Sequence, residues 1–453
     1  MANFISYDRS QAFLLPPDLR DWIGEDDLVH FITAAVERVH IGAFKVNWRG
    51  HGKAQYHPRM MLALLIYCYA NGIFSSRRIE RATHRDVAVR FIAADTHPDH
   101  DTIASFRREN LEAFTLAFQQ VLLLARELGL LKLGMVSIDG TKIDANASKI
   151  RSVRYDRASA LRKKLSQDIA ALTAEAEAAD SGDAVDGQAL PAEIARREVL
   201  KAKLDEACAR LEAEAAAQAE VEQDDYEEKR GSWEARKGQR RGPAPKPPRK
   251  TPPGERQSNL TDPDSKLMRK SMRHEIRQAY NAQAVVDADG SQLVLTANVS
   301  QSPADGPTFE GTIVELCETL GDPTTILGDA GYANGDAVAN LEGLGIEVLV
   351  AVSRPDNERP YDFRPPKVPK ANGKPPRQVT APWRIAMKEK LKTEEAKAKY
   401  RLRKCTVEPV FGIIKNVLGF TRFSLRGIEK VKLEWLLVTL AYNCKRLTNL
   451  KAA

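Results

Sequence analysis

The stretch of sequence that decides the fold is residues 134–148, GMVSIDGTKIDANAS. Its first part, residues 135–138, predicts a β-strand because apolar and β-branched residues predominate. The strand is predicted to end at Asp139, since Asp before Gly is typical of a turn. Residues 323–334, PTTILGDAGYAN, show the same pattern and predict a strand that ends at Asp329. The sequence therefore predicts two strands with an acid at the end of each.

A third acid follows on a predicted helix. A long helical stretch is predicted from about Trp383 through Lys415, and Glu408 lies among apolar residues within it. A carboxylate in such surroundings is costly unless it is paired or bound to a metal ion. Two acids at strand ends and one on a later helix can converge at one edge of a mixed sheet, which predicts an α/β fold with an acidic site.

A site made of carboxylates favours one kind of chemistry. Mg²⁺ prefers carboxylate oxygens as ligands. Two ions roughly 3.5–4 Å apart can stabilise the attacking and leaving oxygens of an in-line displacement. Asp139 and Asp329 taken singly could merely shape turns. The three acids in this order favour metal-dependent phosphoryl transfer.

The composition indicates a soluble protein with a nucleic-acid partner. The 453 residues carry a net charge of +7, and the pI is about 9.0, a basic excess that fits nucleic acid. The five cysteines are far apart and form no C-x-x-C, which argues against disulfides and cysteine zinc sites. The apolar run over residues 60–69 is too short to span a bilayer, and no signal peptide is evident. We therefore expect a cytoplasmic protein without a membrane segment.

The chain is predicted to contain four parts. Residues 1–130 predict a helical N-terminal domain, from apolar residues at helical spacing and repeated helix-start signals. Residues 131–154 and 257–450 predict the catalytic domain, with a β-hairpin turn at Asp287. Residues 155–228 predict an inserted antiparallel helical hairpin, for which a spacer or an oligomerisation arm is the favoured role. The fourth part is a linker.

Basic residues are concentrated in the linker and the N-terminal domain. The linker, residues 229–256, has ten basic residues, two acids and many Pro and Gly, which predicts a flexible segment. It could be a solvated linker only, but its charge density favours contact with DNA phosphates. In the N-terminal domain the arginines indicate either a helix-turn-helix-like DNA reader or a packing domain with a solvated basic face. These arginines are Arg77, Arg78, Arg81, Arg85, Arg107 and Arg108.

Three segments resemble the DDE transposases of bacterial insertion sequences, in the branch whose third acid lies in a Tyr-Arg-Glu-Lys signature. They are SIDGTKIDANAS around Asp139, ILGDAGYAN around Asp329 and YRLRKCTVEPVFGIIKNVLGFTRFSLRG around Glu408. The signature is matched by Tyr400, Arg403, Glu408 and Lys415. Six residues separate the Glu from the Lys, as in the usual form, whereas the gap from Arg to Glu is one residue longer. The resemblance spans almost the whole chain apart from residues 155–255.

The resemblance implies an RNase H-like core in which Asp139, Asp329 and Glu408 hold two Mg²⁺ ions, with Mn²⁺ as a substitute. It implies double-stranded DNA as the partner, both the terminal inverted repeats and the target DNA, and strand cleavage followed by strand transfer. A homodimer is expected in the DNA-bound complex, and a bacterial chain bound to DNA would be associated with the nucleoid. The DNA contacts implied or suggested are Tyr400, Arg403, Lys415, Arg422 and Arg426; the alternative is an ordinary charged surface.

Three other interpretations compete with this one. A catalytically inactive or repurposed relative would bind DNA without cutting it, a nuclease would cut without joining, and a purely structural protein would explain the hairpin but not the acids. His97 and His100 resemble metal ligands, but Pro98 favours a turn there. Asp287 is the substitute if Asp139 is not a ligand. The neighbouring acids read as turn residues are Asp144, Asp287, Asp289 and Asp305.

Overall fold

The structure, a computed structural model, describes residues 18–47, 54–180, 190–235, 243–269, 274–352 and 381–452. The chain divides into two units. The first comprises Met1–Ile143 and Asn281–Ala453, and the second comprises Asp144–Tyr280. No helix within the described ranges is both long and apolar enough to cross a membrane.

Helices predominate among the described residues. The helices before the first strand are α1 (Leu28–Glu37), α2 (Pro58–Ala70), α3 (Ser76–Arg85), α4 (Val87–Ile92), α5 (His100–Glu109) and α6 (Leu111–Glu127). The later helices are α7 (Tyr155–Asp180), α8 (Leu190–Ala235), α9 (Phe309–Leu320), α10 (Gly335–Gly343), α11 (Pro382–Lys390), α12 (Glu394–Gly412) and α13 (Ile428–Ala452). The strands are β1 (Met135–Asp144), β2 (Ser152–Arg154), β3 (Gln257–Asn259), β4 (Lys266–Met268), β5 (Arg277–Asp287), β6 (Val294–Ser300), β7 (Thr325–Gly328) and β8 (Glu347–Val350).

Two of the short N-terminal helices, α4 and α5, begin at aspartate caps. The Asp86 carboxylate accepts the Val89 backbone N–H at 3.0 Å and begins α4, which ends the apolar stripe of α3. The Asp99 carboxylate accepts the Thr102 backbone N–H at 2.8 Å and begins α5. By contrast α2 is buried along almost its whole length, as its nearly continuous apolar sequence predicts.

The sheet of the first unit has β1 at its centre. Its strands lie in the order β6, β5, β1, β7, β8. β7 is parallel to both β1 and β8, whereas β5 and β6 form an antiparallel hairpin. The hairpin predicted at Asp287 is confirmed, and the Asp287 carboxylate accepts the Ser291 backbone N–H at 3.0 Å and its hydroxyl at 2.7 Å. The predicted α/β class with a mixed sheet is thus confirmed.

The prediction that the first strand ends at Asp139 is wrong. β1 continues through Gly140 to Asp144, because Thr141 and Ile143 favour a strand and β1 lies beside β5 in the sheet. A side chain at Gly140 would collide with Gln283, whose Nε2 would be 2.3 Å from the new Cβ. Glycine in this strand therefore allows side chains to approach closely.

Helix α13 covers β6, the strand at the edge of the sheet. It packs on β6 and against α2 and α6. The buried Asn443 side chain accepts the Val294 backbone N–H at 2.8 Å and donates to the Val294 carbonyl at 2.7 Å. This amide replaces the missing neighbour strand, which protects an edge that would otherwise expose unpaired backbone groups.

Replacing Asn443 with leucine should therefore destabilise the first unit. Two backbone groups of Val294 would remain buried without partners, so we expect a loss of about 2–4 kcal/mol in unfolding free energy. Urea denaturation measures it. The matched control is Asn449→Leu, at an exposed position on the same helix, for which a change within about 0.5 kcal/mol is expected. Equal stability of the two variants would contradict the proposed edge role.

The second unit contains two long helices that pack against each other, α7 and α8. Leu165 and Leu204 lie in their shared apolar cluster, and Arg162 pairs with Asp205 at 2.8 Å. The predicted start of the linker at residue 229 is wrong, because α8 continues to Ala235. Helix-favouring pairs at i,i+4 extend it, including Arg230 with Glu234 at 2.8 Å. Residues 236–242 of that linker lie outside the described residues.

The single helical stretch predicted over residues 383–415 is also wrong. α11 ends at Lys390, and α12 begins after Thr393, whose hydroxyl accepts the Ala396 backbone N–H at 3.3 Å. Pro409 lies inside α12, and a π-helical turn, Ile413–Val417, follows it. Such turns are frequent at functional sites. The preceding Pro- and Lys-rich segment, residues 353–380, lies outside the described residues.

Candidate active site

Asp139 and Asp329 lie on neighbouring parallel strands. β1 and β7 pair with Ser137 opposite Leu327, so the same register, extended by two residues, sets Asp139 beside Asp329. Neighbouring strands are about 4.8 Å apart. The structure therefore brings the two predicted strand acids together, although only Asp329 follows the end of its strand.

The Asp139 carboxyl is in an unfavourable place for a negative charge. Its side chain is 19% exposed. Burial raises its pKa to about 7, and the carboxylates of Asp329 and Asp305 act in the same direction. The Gly140 backbone N–H, which it accepts at 2.7 Å, and the Arg403 guanidinium lower the pKa. A bound cation would offset the repulsion among these carboxylates.

Asp329 shapes the turn after its strand as well as facing Asp139. Its carboxylate accepts the Gly331 backbone N–H at 2.7 Å, and the three residues that follow form a 3₁₀ turn. The turn role that the sequence allows for Asp329 is thus present. This turn role uses one carboxylate oxygen of Asp329, and the Asp329 side chain still lies beside Asp139.

An arginine, Arg403, links Glu408 to Asp139. Arg403, on the same helix α12, lies 3.4 Å from the Glu408 carboxylate and 3.7 Å from the Asp139 carboxylate. The arginine is 12% exposed and Glu408 is 53% exposed. Arg403 therefore links the first and third acids in this structure, even though its spacing from Glu408 departs from the usual signature.

The other two signature residues make contacts within the protein. The half-buried Tyr400 hydroxyl donates to the Gly328 carbonyl at 3.1 Å, directly before Asp329. Lys415 lies in the π-helical turn, where its ammonium donates to the Thr141 hydroxyl and, at 3.2 Å, to the Lys142 carbonyl. Tyr400 thereby supports the end of β7, and Lys415 supports the part of β1 beyond Asp139.

Asp305, read from sequence as a turn residue, lies in the site. Its carboxylate accepts the side-chain amides of Asn281 at 2.7 Å and Gln283 at 2.8 Å, and Lys142 lies 3.4 Å away. Two buried amides on one face of β5, at alternate positions, are a signal that sequence reasoning missed. Such residues are polar where a strand core is expected to be apolar.

The remaining predicted DNA contacts lie on the segment before α13. Arg422 and Arg426 are exposed, whereas Phe423 between them is buried. Phe423 packs edge-on against Phe420, with ring centroids 5.4 Å apart. This aromatic residue serves the core, and the two arginines remain on the surface. Arg107 does not belong to the predicted basic face, because it is only 5% exposed.

The histidines and the other acids have separate partners. His97 contacts the Thr83 hydroxyl at 3.1 Å, and His100 contacts Glu80 at 2.9 Å. Asp144 pairs with Arg277, and Asp289 accepts the Met135 backbone N–H. In the described part of the chain, no three Asp, Glu, His or Cys side chains are placed so that they could hold a metal ion together.

Two families match the chain. The family described as Transposase DDE domain matches residues 256–444, a range that contains Asp329 and Glu408. The family described as Transposase domain (DUF772) matches residues 17–109. Asp139 lies between the two ranges. No curated protein and no solved structure matches the chain.

These matches agree with the fold and with the acidic residues on neighbouring strands. The predicted fold class, an RNase H-like mixed-sheet core with a helical N-terminal region, is confirmed. Members of this family act in transposition, bind DNA and generally use divalent metal ions. The chain belongs to the DDE transposases of insertion sequences.

Proposed function

We propose that the chain cleaves the DNA ends of an insertion sequence and transfers the freed strands to target DNA, with Asp139, Asp329 and Glu408 as the metal-binding acids. The observation that carries the proposal is the placement of Asp139 beside Asp329 with Arg403 linking Asp139 to Glu408. Phosphoryl transfer depends on positioning and on electrostatic stabilisation. Acids and a guanidinium at one sheet edge supply groups for both.

The donor set fits Mg²⁺, with Mn²⁺ as a substitute. The side chains offered are carboxylates, which hard divalent cations prefer. Burial raises the pKa of Asp139, and the carboxylates of Asp329 and Asp305 add to the rise, so a cation beside them would be favourable. The chemistry that two such ions would supply is activation of the attacking oxygen and stabilisation of the leaving oxygen. Asp139 and Asp329 would hold them from the sheet, and Glu408 from α12. Metal binding by Glu408 would replace its pair with Arg403, which is 3.4 Å long in this structure.

The basic residues of the site would orient the DNA. Arg403 can contact two groups at once because its guanidinium is planar and carries five donors. On release from Glu408 it would hold a phosphate beside Asp139. Lys415 keeps the backbone of β1 beyond Asp139 in place, and Tyr400 does the same for the end of β7. Arg422 and Arg426 would contact the DNA backbone from the exposed segment that follows.

The N-terminal region offers a second surface for DNA. Helix α3 buries Ile79, Ala82 and Thr83 and exposes a row of arginines on its opposite face. They are Arg77, Arg78, Arg81 and Arg85. Within the described ranges none of these four forms an ion pair with an acid. A row of uncompensated guanidinium groups along one helix matches the charge of a DNA backbone.

We expect the replacement of the four α3 arginines by alanine to weaken binding to duplex DNA. Each phosphate contact contributes roughly one unit to the slope of log affinity against log salt, so the slope should fall by about 2 or more. Fluorescence anisotropy over a salt series measures it. Arg90→Ala is the matched control, because Arg90 on the adjacent helix is paired with Asp95 at 2.8 Å. An unchanged slope in the fourfold variant would exclude α3 as a phosphate contact.

The function is tested by an assay of cleavage and strand transfer on duplex DNA carrying the element's own ends. Wild type and Glu408→Gln are compared with Mg²⁺ and with EDTA. We expect metal-dependent products from wild type only, with DNA binding retained in the variant. Glu408→Gln products equal to those of wild type would show that Glu408 is not the third acid. Products that stop at cleavage would indicate a nuclease.

One observation favours a second function, that of an inactive relative that binds DNA ends. The three acids are not gathered around one point among the described residues, and Arg403 stands between two of them. Tight binding of the ends by wild type, with no product at any Mg²⁺ or Mn²⁺ concentration, would establish this alternative. In either case two paired ends call for two chains, so we propose a homodimer on nucleoid DNA.

A further inference from the structure

A fourth carboxylate, that of Asp305, lies near Asp139 and Asp329. Asp305 precedes the 3₁₀ turn Gly306–Thr308, yet its side chain caps no backbone N–H there. Its backbone carbonyl accepts the Thr308 backbone N–H at 3.2 Å and the Thr308 hydroxyl at 2.8 Å. The carboxylate is therefore released from the turn and points to the sheet, where its side chain is only 20% exposed.

One carboxylate oxygen of Asp305 serves as an anchor. Oδ1 accepts the amides of Asn281 and Gln283 and lies near the Lys142 ammonium. Gln283 is itself fixed, because its side-chain carbonyl accepts the hydroxyl of the buried Tyr332. An aspartate held by a chain of buried contacts cannot turn away to solvent without breaking them.

The other oxygen faces Asp329. A Cβ placed on Gly331 would lie 2.9 Å from Asp329 Oδ1 and 3.2 Å from Asp305 Oδ2. The two carboxylates thus approach one point, and only a glycine leaves room for them. No residue in the described part of the chain donates a hydrogen bond to Asp305 Oδ2. An acceptor without a donor beside a second carboxylate is a place where a cation is favourable.

A buried amide oxygen without a partner lies on the Oδ1 side of the Asp305 carboxylate. The Asn281 side chain is completely buried, and its Oδ1 has no hydrogen-bond partner. That oxygen would lie 2.9 Å from a Cβ on Gly140, and Asp305 Oδ1 would lie 2.5 Å from the same point. The electrostatic environment of Tyr332 agrees. Burial raises the pKa of its hydroxyl, and Asp305, Asp139 and Asp329 add to the rise in that order.

We propose that Asp305 is a fourth acid of the cleavage site and shares a divalent cation with Asp329. The inference rests on the proposed function, since it concerns the same metal site. Asp305 holds its position through Oδ1 and presents Oδ2 to the cation. Lys142, on the Oδ1 side, balances part of the charge. A side chain at position 140 would displace Asp305, and one at position 331 would crowd both Asp329 and Asp305.

The test is Mn²⁺ binding to the full-length chain, followed by electron paramagnetic resonance, with no DNA and no turnover. Asp305→Asn should raise the half-saturating Mn²⁺ concentration by about 10- to 100-fold, as should Asp329→Asn. The matched control is Glu310→Gln, at an acid on α9 that bonds to Asn340, and it should bind Mn²⁺ as wild type does. A rise in melting temperature on addition of Mn²⁺ should shrink in parallel.

A second variant decides the matter if Asp305→Asn does not fold. Lys142→Met removes the cation beside Oδ1 and leaves the carboxylate, so Mn²⁺ should bind about two- to fivefold more tightly. Unchanged affinity in Lys142→Met, or in a folded Asp305→Asn, overturns the role of Asp305. If Asp329→Asn still loses Mn²⁺ in that case, the proposed function survives. A wild type that binds no Mn²⁺ overturns both.

Discussion

Asp139→Asn should reduce DNA cleavage on the order of 1000-fold without lowering the metal-free melting temperature. The Asp139 side chain is 19% exposed, against 53% for that of Glu408. Removal of one metal ligand costs several kcal/mol of transition-state stabilisation, and each 1.36 kcal/mol is tenfold in rate. The asparagine keeps the shape of the side chain and can still accept the Gly140 N–H.

The expected metal-free melting temperature distinguishes a functional acid from a structural one. In the absence of metal, the Asp139 charge is opposed by burial and by two neighbouring carboxylates. Its removal should leave the protein as stable as wild type or more so, which is the usual trade-off at an active site. Rates come from single-turnover cleavage, and melting temperatures from circular dichroism. A variant that cleaves normally, or one that loses activity only because it unfolds, would contradict the assignment.

Glu434→Ala should cost about 3–5 kcal/mol of unfolding free energy. Glu434 is completely buried, and its carboxylate accepts the backbone N–H groups of Ser424 at 2.8 Å and Leu425 at 2.9 Å. Its other oxygen accepts a hydrogen bond from the Tyr69 hydroxyl at 3.5 Å. The oxygen of that hydroxyl accepts a hydrogen bond from the buried Arg107 guanidinium at 2.7 Å. Loss of one partner leaves the charge of Arg107 buried and uncompensated.

The control for this effect is on the same helix. Glu429→Ala removes a carboxylate that is 71% exposed and paired with Lys432, and it should change stability by less than about 0.5 kcal/mol. The double variant Arg107→Met with Glu434→Leu should be more stable than Glu434→Ala, because no unpaired charge remains. Urea denaturation compares all three. Equal stability of Glu434→Ala and Glu429→Ala would show that the buried network contributes nothing.

The sequence predicts the core strands well because their signals are local. The apolar residues before Asp139 and before Asp329 predict β1 and β7, and Asp287 with the glycine that follows predicts the hairpin of β5 and β6. The continuation of β1 beyond Asp139 is not predictable in this way. In the sequence alone, Gly140 suggests a turn. Only the structure shows that neighbouring side chains occupy the space that a Cβ at this position would need.

The residues missed by sequence reasoning depend on contacts between distant segments. Asp305 has a turn-like sequence context, and only the buried amides of Asn281 and Gln283 show where its side chain lies. Arg107 belongs to a run of basic residues that suggests a DNA surface, yet Tyr69 and Glu434 hold it inside the protein. Local spacing identifies residue types, whereas burial decides which of them reach DNA.

The proposed site residues lie in short, specific segments of the sequence, which is why sequence alone suggests them. The most direct test is anomalous diffraction from crystals of the wild-type chain with duplex end DNA and Mn²⁺. The account predicts Mn²⁺ peaks about 2.1 Å from carboxylate oxygens of Asp139, Asp329 and Glu408, with Arg403 moved away from Glu408. DNA bound with Arg403 still between Asp139 and Glu408, and no Mn²⁺ at the three acids, would contradict it.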